Sequence, residues 1–487
     1  MMAESNRNSK RVDDRRPLDL KWEEWKWPLL FMLCMSALGL KFPLAYLLIP
    51  AILINRFRND RHDFIIMLTI LFGEYALTDN ETFGFSAYYI AFLLSLVGLF
   101  IYRKNGITKR IVGAWCVYVG GIFVFAMMSE ERLYIQLGPI IRYLSIIYFI
   151  VPMMVFSGRK FDIQVFFRRL MPYCLLMCMW YVLDGFIVNG WLFVPNTLIS
   201  NDFKSRFYLP IIYSFGSFPR KYPPGLYLLV LAIYPIAKYY KLNLWQWLLV
   251  FGAMCACRTF TIISGFIVTY TFLRMERRNF LKYVAAGVGI FTILYFIDGL
   301  LPHNAEGHST MRIESSINQM LILKNMDDEE ELAKLGTGRM AQVLPKMELL
   351  YELDREWIGF GFLHEELTTN PKYIIENPFY IEGTIKEEVA TAVEVAPIQH
   401  ILYMGYLGLF LVILFYGYLC MTVRDVTEHR YFYSAVFCFI WFGISGFSGL
   451  VSYPSLLLIG LSLAVILLDQ KQSEKSDVSR ERFRHLV

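Results

Sequence analysis

"LNLWQWLLVFGAMCACRTFTIISGFIVTYTFL", residues 242–273, is a run of 32 residues in which Arg258 is the only charged side chain. The residues on either side of Arg258 are apolar enough for two helices inside a membrane. A full charge surrounded by hydrocarbon is costly and commonly functional. The meaning of Arg258 depends on which surface of the membrane it faces, so the topology has to be predicted first.

The composition predicts a membrane protein that crosses the bilayer many times. Of 487 residues, 56% are hydrophobic, 17% are aromatic and only 18% are charged, whereas a soluble domain has about 25% charged residues. Residues 1–26 are basic, and no small-residue cleavage site follows the first apolar segment. We therefore expect a retained cytosolic tail rather than a signal peptide. All eight cysteines fall in apolar segments, which predicts no disulfide framework.

The connectors between the apolar segments fall into two classes by charge. One class is rich in Lys and Arg and comprises 55–62, 102–110, 157–169, 238–243, 274–282 and 422–430. The other class is poor in Lys and Arg and comprises 77–86, 129–138, 190–222 and 300–397. Because an excess of Lys and Arg marks the cytoplasmic side, this pattern predicts about 12 to 14 spans with both termini cytoplasmic.

The predicted fold class is all-α, a polytopic membrane helix bundle with one large periplasmic loop. Its predicted divisions are a cytosolic tail (1–26), a transmembrane bundle (27–299) with an outer loop (190–222), a periplasmic loop domain (300–397), C-terminal transmembrane helices (398–469) and a cytosolic tail (470–487). The loop domain holds 18 acidic and 8 basic residues, whereas the whole chain has a net charge of +5. Cytoplasmic anchoring accounts for the remaining basic charge, so we expect no nucleic-acid partner.

Four arginines are predicted at the outer level of the bundle. Arg258 lies at the apex of a hairpin, and Arg142 lies just inside the outer end of a span. Arg206 and Arg220 lie in the outer loop, the second of them in a stretch rich in Gly and Pro. Irregular backbone of that kind is tolerated at membrane depth where it lines a cavity. The alternative is that each arginine simply extends to the lipid headgroups; their convergence favours an anion site.

The large loop contains a further candidate for anion binding. In the stretch Thr337-Gly338-Arg339, Thr337 is a suitable N-cap, and a helix with an apolar face is expected to follow. Arg339 would lie in the first turn, where the free N–H groups and the helix dipole already favour an anion. An arginine there is electrostatically unfavourable unless something negative binds. This mismatch favours phosphate, and Thr337, Gly338 and Arg339 are its predicted ligands.

His400 begins a later span on the outer side. An imidazole titrates near neutrality and can accept a proton from a sugar hydroxyl. The alternative is an interfacial histidine bonded to a carbonyl. His303 and His308 are a weak candidate pair for zinc, and we expect no metal site.

Arginines beside a base on the outer surface suit the binding of a pyrophosphate next to a hydroxyl to be activated. Arginine holds phosphate oxygens with two parallel hydrogen bonds. Fixed cations can stabilise the charge that develops on a leaving pyrophosphate. No ATP is available outside the cytoplasm, so the donor must arrive already activated and linked to a lipid. No cofactor is expected.

At these residues the sequence resembles the O-antigen ligase and O-antigen polymerase family of bacterial envelope glycosyltransferases. The resemblance covers about residues 200–408 and rests on short motifs in a shared order. The matching positions are Cys257-Arg258, Gly338-Arg339, Trp357 to Gly361, His400 with Gly405 and Gly408, and "FGSFPRKYPPGLYLL" at 215–229. Cys257, Ile401 and Pro224 stand where the family has Ser, Asn and Asn.

The resemblance implies a metal-independent, membrane-embedded glycosyltransferase in a bacterial inner membrane. Arg258 and Arg339 would bind the pyrophosphate of an undecaprenyl-pyrophosphate-linked oligosaccharide, and His400 would activate or orient the acceptor. Expected partners are this donor, the lipid bilayer, and a chain-length regulator or flippase. We favour a polymerase of surface polysaccharide, with ligase and protein oligosaccharyltransferase as alternatives. A transporter of bicarbonate or another anion and a non-catalytic assembly protein are the alternatives from other classes.

Overall fold

A computed structural model describes most of the chain. The described residues are 15–39, 55, 62–66, 87–102, 106–156, 158–182, 227–256, 260–274, 280–300, 339–364, 367–376, 387–393, 395–444 and 453–484. Within them the fold is mostly helical, with few strands. The predicted helical character is thus confirmed, while the number of spans stays a prediction.

Most of the described residues belong to helices. They are α1 (Trp22–Gly39), α2 (Ala87–Tyr102), α3 (Gly106–Met128), α4 (Leu133–Leu144), α5 (Ile150–Phe156), α6 (Ile163–Val182), α7 (Tyr227–Lys238), α8 (Leu244–Ala256), α9 (Phe260–Arg274), α10 (Phe280–Leu300), α11 (Arg339–Glu352), α12 (Ala396–Thr422), α13 (His429–Ile444) and α14 (Tyr453–Arg484). Short 3-10 turns lie at Ser145–Phe149 and Pro371–Tyr373.

The described strands form two short pairs, of which the first connects distant parts of the chain. Strands β1 (Arg16–Pro17) and β2 (Tyr240–Lys241) are parallel, with Arg16 opposite Tyr240. Strands β3 (Ile374–Glu376) and β4 (Glu387–Val389) are antiparallel, with Ile374 opposite Val389. Neither pair is large enough to form a sheet core, so the packing is that of helix on helix.

Two of the described helices are long and apolar enough to cross a membrane. They are α3, with 23 residues, and α12, with 27. A third candidate arises if Leu133–Ile141 and Ile146–Phe156, bent by 43°, together form one broken span. The other apolar helices found are shorter, between 10 and 17 residues. Membrane insertion is therefore possible on length and composition.

Large apolar side chains lie on the outside of these helices, as is typical of contact with lipid. Exposed examples on several helices are Phe100, Val117, Met127, Trp245, Phe272, Ile293, Phe410 and Met421. The inside is equally apolar and close-packed. There α3 meets α12 through the stacked rings of Tyr118 and Phe415, whose centroids are 4.2 Å apart.

The connectors rich in Lys and Arg contact one another and the N-terminal tail. The N-terminal tail adds β1 to β2, and Gln246 donates to the carbonyl of Leu18 at 3.0 Å. Arg168 forms an ion pair with Glu24. Gln472, near the end of the chain, donates to the carbonyl of Arg159 at 2.6 Å. Residues near both ends of the chain therefore pack against the same group of connectors.

Glu428 is the centre of a hydrogen-bonded cluster in this group. It receives hydrogen bonds from the hydroxyls of Tyr234 and Tyr239 and from Lys238, whose Nζ lies 2.6 Å away. Burial opposes ionisation of Glu428, but these hydrogen bonds outweigh it, and the pKa of the carboxyl lies below its usual value of 4.5. The ionised carboxylate therefore ties the connector between α12 and α13 to the end of α7.

Glu428→Gln is expected to lower the free energy of unfolding by about 1.5–3 kcal/mol at pH 7, the range for a hydrogen bond to a charged group. Because the folded-state pKa is lowered, the contribution is fully present above pH 4.5 and is lost as the pH falls through the folded pKa. Thermal unfolding in mild detergent at pH 7 and at acid pH would measure this. The exposed Glu474→Gln is the control and should match wild type; equal midpoints for both variants at pH 7 would contradict the prediction.

The segments poor in Lys and Arg form a second contact group. Glu130 lies 3.0 Å from Nη2 of Arg355 and 3.4 Å from Nζ of Lys372. The hydrogen bond from Lys372 and the nearby positive charges hold the pKa of Glu130 below its usual value. Arg355 also donates to the carbonyl of Met128 at 3.1 Å, and Ser129 donates to that of Phe360 at 2.7 Å. The connector between α3 and α4 is thereby fixed to Arg355, Phe360 and Lys372.

Candidate functional site

Helix α12 is interrupted at Gly405, and a loop pairs with the break. Gly405 has φ 66° and ψ −171°. The backbone therefore leaves the helical conformation at this one residue and returns to it afterwards. Residues 356–361 lie along residues 402–407 and satisfy the backbone groups freed there. The four hydrogen bonds are Phe360 N to Leu402 O (2.8 Å), Gly361 N to Tyr403 O (3.0 Å), Tyr406 N to Glu356 O (2.9 Å) and Leu407 N to Trp357 O (3.3 Å). We call residues 356–361 and 402–407 the glycine clamp.

The glycine clamp requires glycine because the two backbones touch. A Cβ on Gly405 would lie 2.1 Å from the carbonyl carbon of Trp357, and one on Gly359 would lie 2.4 Å from the backbone N of Met404. The backbone angle φ is positive at Gly359, Gly361 and Gly405, a conformation that residues with a side chain rarely adopt. These glycines belong to the motifs that carry the sequence resemblance. Their physical role is to let the loop and the broken helix approach closely.

His400 lies on the short part of α12 before the break, with its side chain 3% exposed. Its Nδ1 shares a hydrogen bond of 2.7 Å with the hydroxyl of Tyr143 in α4. The two rings meet at an angle of 62° with centroids 5.3 Å apart. The partner is thus a phenol rather than the carbonyl considered from sequence.

Aromatic rings fix the position of Tyr143. Its ring contacts Phe362 edge-on at 5.3 Å and Tyr403 at 6.1 Å, and those two rings stack on each other at 5.2 Å. Phe362 follows the glycine clamp directly, and Tyr403 belongs to it. The clamp therefore places both rings against the tyrosine that holds His400.

Nε2 of His400 has no hydrogen-bond partner among the described residues, although it is buried. Oε1 of the neighbouring Gln399 is likewise buried and without a partner in the described part of the chain. A buried polar atom left unpaired costs about 1–3 kcal/mol. Such a cost is commonly retained where the atom acts on a ligand or takes part in a reaction.

The hydrogen bond to Tyr143 decides what His400 can do. If Nδ1 carries the proton and donates it to the tyrosine oxygen, Nε2 keeps a free electron pair and can act as a base. In that tautomer the site can accept a proton from a hydroxyl brought to Nε2. No group of three or more His, Cys, Asp or Glu side chains that could hold a metal ion occurs among the described residues. His303 and His308 lie outside them.

The His400–Tyr143 pair joins two irregular helices. Tyr143 lies one residue before the end of α4, where the chain passes through a 3-10 turn into α5. His400 lies five residues before the break in α12. One hydrogen bond therefore connects the two places where apolar helices are interrupted.

Gln136 supports the site from the same face of α4, about two turns before Tyr143. It is fully buried, and its Nε2 donates to the carbonyls of Ala126 (2.9 Å) and Glu131 (2.8 Å). Its Oε1 accepts from the backbone N–H of Phe362 at 3.0 Å. Gln136 thereby fixes the backbone of Phe362 relative to the end of α3.

The predicted site residues are only partly within the described structure. His400 is placed as above, and Arg142 lies in α4 immediately before Tyr143. Arg339 is the first residue of α11, so the helix that was predicted to follow Thr337 and Gly338 is present. Val343 and Leu350 on its predicted apolar face are buried. The remaining predicted residues, Arg206, Arg220, Arg258, Thr337 and Gly338, lie outside the described residues.

Two residues of the site were not predicted from sequence, Tyr143 and Gln136. Gln136 gives a weak signal, because it is a polar residue next to an apolar segment. Tyr143 gives none, since tyrosine is common throughout this chain.

Comparison with known proteins finds no match. No protein-family model, no curated protein sequence and no solved structure matches the chain.

Proposed function

We propose that this chain is a polytopic membrane glycosyltransferase of a bacterial inner membrane. It moves a glycan from undecaprenyl pyrophosphate to an acceptor hydroxyl on the periplasmic face. The observation that carries the proposal is His400: a buried imidazole, held through Nδ1 by Tyr143, with Nε2 unpaired among the described residues. This is the arrangement that a base for a hydroxyl nucleophile requires.

The contacts at the two ends of α12 support the predicted orientation. The helix has 27 residues, about 40 Å at 1.5 Å per residue. Its C-terminal end leads to Glu428 and the basic connectors, which belong on the cytoplasmic side. Its N-terminal end carries His400 and lies beside the segments poor in Lys and Arg. In this orientation His400 faces the periplasm.

The proposed reaction is a displacement at the anomeric carbon of the donor. Nε2 of His400 takes the proton of the acceptor hydroxyl while the acceptor oxygen bonds to the anomeric carbon. The bond from that carbon to the pyrophosphate oxygen breaks, and undecaprenyl pyrophosphate leaves with the electron pair. Arg258 and Arg339 are proposed to hold the leaving pyrophosphate, with Arg142, Arg206 and Arg220 binding further parts of the donor.

Within this proposal, the chemical identity of the acceptor decides which of three types of enzyme the protein is. A second lipid-linked repeat makes the protein a polymerase, which we favour. Lipid A-core makes it a ligase, and a protein Ser or Thr makes it an oligosaccharyltransferase. All three use the same donor and the same base.

Anion transport is a second candidate, because of the helix breaks. Secondary transporters build their sites from discontinuous helices near the middle of the membrane. Here α12 is interrupted at Gly405, and the helices on either side of residues 142–145 are bent by 43°. In a transporter, the His400–Tyr143 pair would face the transported ion rather than a sugar hydroxyl.

The proposal is tested in cells that lack this chain, by a gel stained for surface glycan together with analysis of lipid-linked intermediates. Loss of the ladder with a single repeat left on the core identifies a polymerase, and a bare core with polymer retained on undecaprenyl pyrophosphate identifies a ligase. Arg258→Ala and Arg339→Ala should fail to restore the product, while the exposed Arg132→Ala should restore it. Full restoration by both site variants would refute the pyrophosphate site.

A further inference from the structure

We infer that Tyr143 is a positioning residue that fixes the tautomer and orientation of His400, so that Nε2 is the nitrogen presented to the acceptor. The inference rests on the proposed function and goes beyond it by giving a role to a residue in a different helix. The juxtaposition that carries it is the 2.7 Å hydrogen bond between Tyr143 and Nδ1.

Because both side chains are buried and held by their neighbours, the Tyr143 hydroxyl bonds to only one of the two ring nitrogens of His400. Tyr143 is 4% exposed and His400 is 3% exposed. Phe362 and Tyr403 contact the phenol ring and restrict its rotation. The hydroxyl reaches Nδ1, while Nε2 meets no described partner. The two nitrogens of His400 are therefore in different environments before any substrate binds.

The phenol oxygen suits each stage of the proton transfer. In the proposed tautomer, Nδ1–H donates to the Tyr143 oxygen before the reaction and leaves the electron pair on Nε2. After Nε2 has taken the acceptor proton, Nδ1–H still donates to the same oxygen, so the imidazolium keeps its hydrogen bond. No rearrangement of the ring is needed, and a fixed orientation avoids that cost during the reaction.

The alternative tautomer explains why the hydroxyl matters. With Nε2 protonated, the ring can only donate at that position and cannot act as a base. In the proposed tautomer the Tyr143 oxygen accepts from Nδ1–H, and removal of the hydroxyl takes this acceptor away. The ring would then populate both tautomers, and a smaller fraction would be competent for catalysis.

Tyr143→Phe isolates this role because it keeps the aromatic packing and deletes only the hydroxyl. We expect kcat for glycan transfer to fall about 10- to 100-fold, as for other residues that orient a functional histidine. The KM for the donor should stay within about twofold, since the variant keeps the donor-binding arginines. Tyr134→Phe is the matched control: it lies in the same helix, is 62% exposed, and should behave as wild type.

A spectroscopic measurement separates positioning from a general loss of structure. The full-length protein, labelled with 15N-histidine and placed in lipid nanodiscs, is examined by solid-state NMR, and the His400 signals are assigned by their loss in His400→Ala. Wild type should show Nδ1 protonated and Nε2 unprotonated. Tyr143→Phe should show a mixture of the two tautomers, and Tyr134→Phe should match wild type.

Different results would contradict the positioning role of Tyr143 and the proposed function. Unchanged kcat and unchanged ring signals in Tyr143→Phe would overturn the positioning role while the proposed function stands. Full transfer by His400→Ala would overturn the base in the proposed function and the positioning role with it. A loss of kcat together with a mixed ring spectrum supports both.

Discussion

Gly405→Ala is expected to leave little folded protein. At φ 66° and ψ −171° the backbone lies in a region that is essentially restricted to glycine, and strain of this kind costs about 1–3 kcal/mol. The new Cβ would also lie 2.1 Å from the carbonyl carbon of Trp357. Since the contacted atom belongs to the backbone, the glycine clamp has to open for the methyl group to fit. We expect a total loss above about 3 kcal/mol.

Gly417→Ala is the matched control, because Gly417 lies in the same helix with open space around its Cβ position. Size-exclusion chromatography and thermal unfolding of both variants in mild detergent would measure the difference. Gly417→Ala should match wild type or unfold at a slightly higher temperature, since alanine favours the helix. Equal unfolding temperatures for the two variants would show that the glycine clamp does not stabilise the fold.

His400→Ala is expected to lower kcat/KM for glycan transfer by about 10²- to 10⁴-fold, the usual contribution of a positioned general base. The loss should appear in kcat, because the proposed base acts on the acceptor hydroxyl during the reaction. His400→Gln keeps a polar side chain of similar reach without a basic nitrogen, and it should be equally impaired.

His429→Ala is the control for this experiment. His429 lies at the start of α13 beside the basic connectors and bonds to the carbonyl of Val426 at 3.1 Å. It should retain glycan transfer within a few-fold of wild type. Transfer by both His400 variants at the level of His429→Ala would exclude His400 as the base.

The helices were the part of the fold that local sequence could predict. The apolar residues that follow the loop domain ending at 397 form α12 (Ala396–Thr422), and those that follow the basic connector 102–110 form α3 (Gly106–Met128). Hydrophobicity is a local property, so segment positions follow from it directly. The bend of 43° between Leu133–Ile141 and Ile146–Phe156 was not predicted, because apolar residues continue through the 3-10 turn and carry no mark of it.

The glycine clamp and the histidine pair depend on contacts that no local pattern contains. Gly405 lies within an uninterrupted apolar run, and its conformation is set by a loop more than forty positions earlier in the chain. Tyr143 and His400 are 257 positions apart. His400 itself was predicted, because a titratable residue at the start of an apolar span is unusual. Its partner could be found only once the helices were packed.

The pairing of the short strands could not be predicted from local sequence either. Strand β1 lies in the N-terminal tail and pairs with residues 240–241, which follow α7. Two-residue strands have no alternation to recognise in sequence. Their pairing is decided by the connectors that the helices bring together.

The central claim is tested most directly with purified protein in lipid nanodiscs, supplied with an undecaprenyl-pyrophosphate-linked oligosaccharide and an acceptor. The account predicts that the glycan is transferred and undecaprenyl pyrophosphate is released, and that His400→Ala abolishes both. Absence of transfer by the wild-type protein with every acceptor class, together with His400-dependent bicarbonate flux in proteoliposomes, would contradict it and identify a transporter.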